Sequence, residues 1–116
     1  MKKKKVYGPQ GSTLDEMIIE NLKNDEAFRE EYLKGLLLEQ NYSLLARSLR
    51  PVVELLGGIG KLAKATGLGR QNLYKALSGN HRPDFSTLVK ILNFAGYDFS
   101  LTKRKGLSKK KELAQV

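Results

Sequence analysis

The sequence predicts an all-α domain with a helix-turn-helix, closed by at most one short β-strand at its C-terminal end. Three observations carry this. Apolar residues recur at helical spacing in successive segments from Leu14 to Phe94. Capping residues and glycines fall between those segments, where helices should start and stop. Between Ile59 and Ser78, a small residue, a glycine and three inward apolar positions occur at the intervals a tight two-helix corner requires.

The elements are expected in the following order. Residues 1–12 read as a disordered basic head, with lysines, glycines and a proline but almost nothing to bury. A short helical stretch starts near Thr13, with Leu14, Met17, Ile18 and Leu22 as its apolar positions. Asn24-Asp25-Glu26 reads as the next helix start, because Asn24 can cap and the acids suit the positive end of the dipole. Ala27, Phe28, Tyr32, Leu33, Leu36 and Leu37 follow at helical intervals, and this helix should stop near Asn41.

Ser43 is the expected cap of a further helix running to Leu56. Pro51 within it removes an interior hydrogen bond, so the segment reads either as one kinked helix or as two short ones. Gly57-Gly58 ends it. A helix over 60–66, a turn at Gly67-Leu68-Gly69 and a helix over 70–78 come next. Asp84 caps a last helix through Phe94, which Gly96 closes. Tyr97 to Thr102 alternates apolar and polar residues, the period of a half-buried strand that would pair with a second copy or a partner. Residues 13–102 thus form one domain, and 103–116 form a basic tail.

Composition narrows the function classes. The net charge of +9 is segregated: residues 12–56 carry five basic and nine acidic side chains, and residues 57–105 carry nine basic and two acidic. A basic half beside an acidic half suggests one surface for a polyanion and another for something else. With no cysteine, disulfides and thiolate metal sites are excluded. One histidine, His81, cannot close a zinc site without further ligands, so no cofactor is expected. No stretch approaches the roughly 18 apolar residues of a membrane span. The Lys2–Lys5 run is followed by no apolar core, so a secretion signal is not expected and a cytoplasmic location is. Gly57-Gly58-Ile59-Gly60 lacks the lysine and hydroxyl of a phosphate loop, and Ser43 and Ser78 have no triad partners. No enzymatic activity is expected.

The segment 59–78 carries the functional reading. Ala63 is small so that a second helix can cross close above it. Gly67 suits a turn position with positive φ. Leu62, Leu68, Leu73 and Ala76 point inward. Arg70, Gln71, Tyr74 and Lys75 then share one outward side of the second helix and are the expected base-reading residues: arginine takes guanine bidentately, and glutamine takes adenine. Lys61, Lys64, Gly69, Asn72, Asn80 and Arg82 flank them and are the expected phosphate-contacting positions.

The stretch from about Glu26 to Leu101 resembles the helix-turn-helix antidote proteins of addiction modules, of the lambda-repressor-like (XRE) class. The resemblance rests on Leu62-Ala63, Thr66-Gly67-Leu68, the run Asn72 to Gly79, and Pro83 through Ser86-Thr87-Leu88 with Ile91-Leu92. It implies a five-helix DNA-binding domain that forms a homodimer, binds a double-stranded operator of its own operon as a repressor, and neutralises a small basic toxin of the RelE/ParE type. The acids Asp25, Glu26, Glu30 and Glu31 read either as a solvated helix face or as a dock for that toxin. A stand-alone phage-type regulator and a module that mainly occludes an enzyme are the alternative readings.

Overall fold

The computed structural model describes residues 5–7 and 13–104 of the chain. Six helices follow a small antiparallel strand pair, β1 (Lys5–Tyr7) and β2 (Thr13–Asp15), with Val6 opposite Leu14. The helices are α1 (Glu16–Asn24), α2 (Glu26–Leu38), α3 (Tyr42–Leu55), α4 (Gly58–Thr66), α5 (Arg70–Ala76) and α6 (Phe85–Phe94). The fold is helical, as the apolar periodicity predicted. Within the expected disordered head, Lys5–Tyr7 forms β1; the rest of that head, and the basic tail beyond Arg104, lie outside the described residues.

Five of the six helices lie within Glu26–Leu101, the stretch for which the resemblance implied a five-helix domain, and the loosely defined N-terminal stretch is the sixth, α1. Asp15 caps it, accepting the Ile18 N–H at 3.0 Å. The cap of α2 is Asp25, not Asn24. Its carboxylate accepts the Phe28 N–H at 3.0 Å, while its own N–H closes α1 on the Asn21 carbonyl at 2.9 Å. One residue therefore ends one helix and starts the next, and Asn24, the last residue of α1, turns its amide to Glu20 instead. The Arg29 guanidinium reinforces the corner by donating to the Leu22 and Lys23 carbonyls at 2.7 and 3.0 Å. These are terminal α1 acceptors with no helical partner of their own.

Two further boundaries differ from the sequence reading. α2 stops at Leu38, Gln40 turns the chain with φ +61°, and Asn41 rather than Ser43 caps α3 by accepting the Leu44 N–H. α3 is one helix with the buried Pro51 inside it, not two. Its inner face, Leu45, Ala46, Leu49, Val52 and Val53, is fully buried. That burial outweighs the loss of one backbone hydrogen bond. The core is completed by Leu33 and Leu36 of α2, Leu62 of α4, Leu73 of α5, and Leu88 and Ile91 of α6.

The strand expected over Tyr97–Thr102 does not form: the segment is irregular within the chain. Gly96, at φ +99°, closes α6, and Tyr97 donates its N–H back to the Leu92 carbonyl at 2.9 Å. Asn93 then holds the Tyr97 carbonyl at 2.8 Å. Tyr97 and Phe99 tuck against the core while Asp98 and Ser100 face solvent. The apolar alternation is thus satisfied by packing rather than by a ladder.

Candidate nucleic-acid interface

α4 and α5 form the corner that the sequence predicted. Ile59 and Leu62 anchor α4 in the core, three residues apart on one face. Gly67 ends the helix in the left-handed region at φ +76°, its N–H returning to the Ala63 carbonyl at 2.8 Å. Thr66 braces the turn from both sides. Its hydroxyl donates to the Leu62 carbonyl at 2.8 Å and accepts the Leu68 N–H at 3.3 Å. α5 then runs from Arg70 to Ala76, two residues shorter than expected. It is closed by Ser78, whose hydroxyl donates to the Lys75 carbonyl and accepts the Asn80 N–H.

The burial pattern along α5 is sharply divided. Leu73 and Ala76 are buried, whereas Arg70, Gln71, Asn72, Tyr74 and Lys75 are exposed. Lys61, Lys64, Gly69, Asn80 and Arg82 are exposed as well. All ten singled-out positions are therefore solvent-accessible, and five of them lie on two different flanks. On one flank, Asn72, Lys75 and Arg82 line a single cleft with His81, Pro83, Asp84 and Thr87, and Arg82 stacks over Tyr42 at 5.9 Å. Asp84 places a carboxylate in this otherwise basic cleft. On the other flank, Arg70 reaches back over Gly60 of α4, and the ring of Tyr74 lies 5.6 Å beneath Arg50 of α3.

Arg50 is the functional candidate that the sequence reading missed. It pairs with Glu54 one turn later at 3.4 Å, a spacing visible in the sequence. Its place beside α5 depends on how α3 crosses the corner, which no local pattern reveals. Arg47 stands one turn earlier on the same helix. Burial, and then the neighbouring Arg50, pull its guanidinium below the usual arginine value, with Glu54 opposing. α3 thus brings one further cation, Arg50, to the exposed row of α5.

Among the described residues, no group of three or more histidine, cysteine, aspartate or glutamate side chains is arranged to hold a metal ion. None of the helices is long and apolar enough to cross a membrane. The exposed face offers cations, amides and a phenol rather than a nucleophile with its base. It can bind an anionic, hydrogen-bonding surface.

A small helical domain with one basic, polar corner and an acidic N-terminal half of sequence is the class that the fold and this surface define. Residues 13–103 match the model of a family described as probable addiction module antidote proteins, and the chain belongs to that family. It is also 30% identical over 84 residues to an uncharacterized protein of Haemophilus influenzae, covering 72% of this chain and 84% of that one. No solved structure matches it.

Proposed function

We propose that this protein is the DNA-binding antitoxin of a type II toxin–antitoxin module, repressing its own operon and neutralising a small basic toxin of the RelE/ParE type. In this reading α4, the Gly67 turn and α5 are a helix-turn-helix of the lambda-repressor-like class, and the chain works as a homodimer in the cytoplasm. The observation that carries it is the division along α5: Leu73 and Ala76 lock the helix to the core while Arg70, Gln71, Tyr74 and Lys75 are all exposed on its outer side. A helix fastened so firmly, with so polar an outer row, suits the major groove.

Arg70, Gln71 and Lys75 read base edges. Lys61, Lys64, Asn72, Asn80 and Arg82, with the Gly69 backbone, meet phosphates and set the register. Two recognition helices about 34 Å apart would read a near-palindromic site. Membership of the antidote family supports the antitoxin half of the reading. The nine acids within residues 12–56 supply a surface of opposite sign to a basic toxin.

A gel-shift with the full chain tests the DNA half, comparing DNA from upstream of its gene with unrelated DNA of equal length at near-physiological salt. Tight binding to the upstream fragment alone is the expected result. Equal, salt-fragile binding to both would overturn sequence-specific repression. Rescue of growth on co-expression with the product of the adjacent gene tests the antitoxin half.

A further inference from the structure

α3 carries two arginines with little to neutralise them. Arg47 and Arg50 are three residues apart, neighbours on the helix surface, and both are partly buried. Among the described residues, the Arg47 guanidinium has no hydrogen bond and no ion pair. Glu54 is the carboxylate that both arginines feel, and it pairs with Arg50 alone. That pairing is weak. It is a single contact from Arg50 Nε at 3.4 Å, between side chains 38% and 56% exposed. A strong charge-assisted bond spans about 2.7–2.9 Å, and an exposed pair contributes little to stability.

Tyr74 places Arg50 as much as Glu54 does. Arg50 Cζ lies 5.6 Å from the centroid of the Tyr74 ring, which is 47% exposed on the outer side of α5. A cation over a ring is held by the ring's quadrupole and keeps its N–H groups to donate. The donors on both Nη atoms of Arg50 have no partner among the described residues. A guanidinium is therefore held beside the outer row of α5 with most of its hydrogen-bonding capacity unused.

We propose that Arg50 is a DNA-contacting residue: its guanidinium takes a backbone phosphate on the Tyr74 flank of α5, and Glu54 is the counter-ion that the phosphate displaces. The proposal rests on the operator-binding reading of α5 and extends that interface to α3. Elements beside a groove-bound helix meet the phosphates of the groove walls. The cleft of Asn72, Lys75 and Arg82 supplies cations on one flank. Arg50 supplies one on the other, from a neighbouring helix and so outside the base-reading row. The exchange gives up only a long, solvent-screened contact, and a phosphate can occupy the Nη donors that Glu54 leaves unused. Arg47, one turn away, repels Arg50 and adds to the positive potential that an approaching phosphate meets.

The test is a set of binding titrations of the full chain on the upstream fragment and on unrelated DNA, over a series of salt concentrations. The proteins are the unaltered chain, Arg50→Ala, Arg50→Lys, Glu54→Gln, and Arg50→Ala combined with Glu54→Gln. Helical circular dichroism is checked in parallel, and Arg50→Gln stands in if Arg50→Ala loses its helices. Arg50→Ala should weaken binding to both DNAs by roughly 5-fold at near-physiological salt and lower the salt slope by about one, the effect of one lost phosphate contact. Arg50→Lys keeps the charge and should keep the slope. Glu54→Gln should tighten binding several-fold, and much less where Arg50 is already alanine, because what it releases is Arg50.

If the unaltered chain binds the upstream fragment selectively and Arg50→Ala matches it in affinity and slope, Arg50 touches no phosphate while the operator-binding reading stands. An Arg50→Ala protein with altered base preference but an unchanged slope would make Arg50 a brace for Tyr74 alone and overturn the phosphate contact. An equal effect of Glu54→Gln with and without Arg50 would overturn the exchange. An unaltered chain that does not distinguish the two DNAs overturns the operator-binding reading and this proposal with it.

Discussion

Arg70 folds its guanidinium back over Gly60: a β-carbon at Gly60 would stand 3.2 Å from Arg70 Nη2 and 3.7 Å from Cζ. The first residue of α5 is thereby in touch with the first turn of α4. The contact is with the flexible end of an exposed side chain, so it can yield by a few tenths of an ångström. Glycine inside a helix costs backbone entropy that alanine does not. Gly60→Ala should therefore raise stability by about 0.5 kcal/mol, near the low end of that range because the site is in the first turn. The thermal midpoint should rise by roughly 2–4 °C. A fall in the midpoint would mean that Arg70 is held in place more firmly than its exposure suggests.

The two roles assigned across the corner separate in binding experiments. Gln71→Ala should cost roughly 1–3 kcal/mol on the preferred operator and relax base choice at one position. Lys64→Ala should weaken all sequences alike and lower the salt slope by about one. Competition gel-shifts with single-base operator variants, repeated at several salt concentrations, measure both. A Gln71→Ala protein with full affinity and unchanged base preference would place the reading residues elsewhere.

At Gly69, the residue preceding α5, the backbone is ordinary extended chain at φ −72°, and an added β-carbon would meet nothing within 4 Å. No side chain caps the helix there. Gly69→Ser supplies an acceptor for the first free N–H groups and should stabilise the fold by a few tenths of a kcal/mol. Chemical denaturation checks this. The same variant tests whether phosphate approach needs a bare backbone at this point, because a tighter fold with weaker operator binding would show that it does.

Most of the fold was legible because its punctuation is local. Gly67 takes the positive φ its position suggested, Gly96 follows the end of α6, and Leu62, Leu73 and Ala76 point inward as spaced. What escaped was tertiary or ambiguous. Asn24 and Asp25 are both good caps, and the choice fell to the residue whose N–H could also close α1. The Tyr97–Thr102 alternation looks like a strand, but a core that accepts Tyr97 and Phe99 from an irregular segment removes the need for one within the chain. At the candidate interface, the exposure of Arg70, Gln71, Tyr74 and Lys75 followed from helical spacing. The place of Arg50 did not, since only the tertiary packing of α3 brings its side chain to Tyr74.

Ser48 is the one buried side chain among the described residues whose polar atom has no hydrogen-bond partner. It is fully buried on the inner face of α3, among Leu45, Leu49 and Val52. A desolvated hydroxyl without a partner costs about 1–3 kcal/mol, and a methyl of nearly the same size does not. Ser48→Ala is therefore expected to stabilise the protein by about 1 kcal/mol in urea unfolding, with the slope against denaturant unchanged. A destabilised variant would show that the hydroxyl finds a partner in solution.

Tyr32 gives the fold an alkaline limit. Its ring stacks on Phe28 at 5.4 Å and is half-buried. Burial first, then the carboxylates of Asp15 and Glu39, hold its phenol protonated to a higher pH than an ordinary tyrosine. With the folded value raised, the folded state binds the proton more tightly than the unfolded one. The contribution is fully present below the ordinary value of about 10 and is lost as pH rises from there through the folded value. Stability measured between pH 8 and pH 11 should therefore fall more steeply in the unaltered chain than in Tyr32→Phe, which has no phenol to ionise. Equal slopes would mean that Tyr32 titrates alike in both states and that its ring is better hydrated than its packing against Phe28 implies.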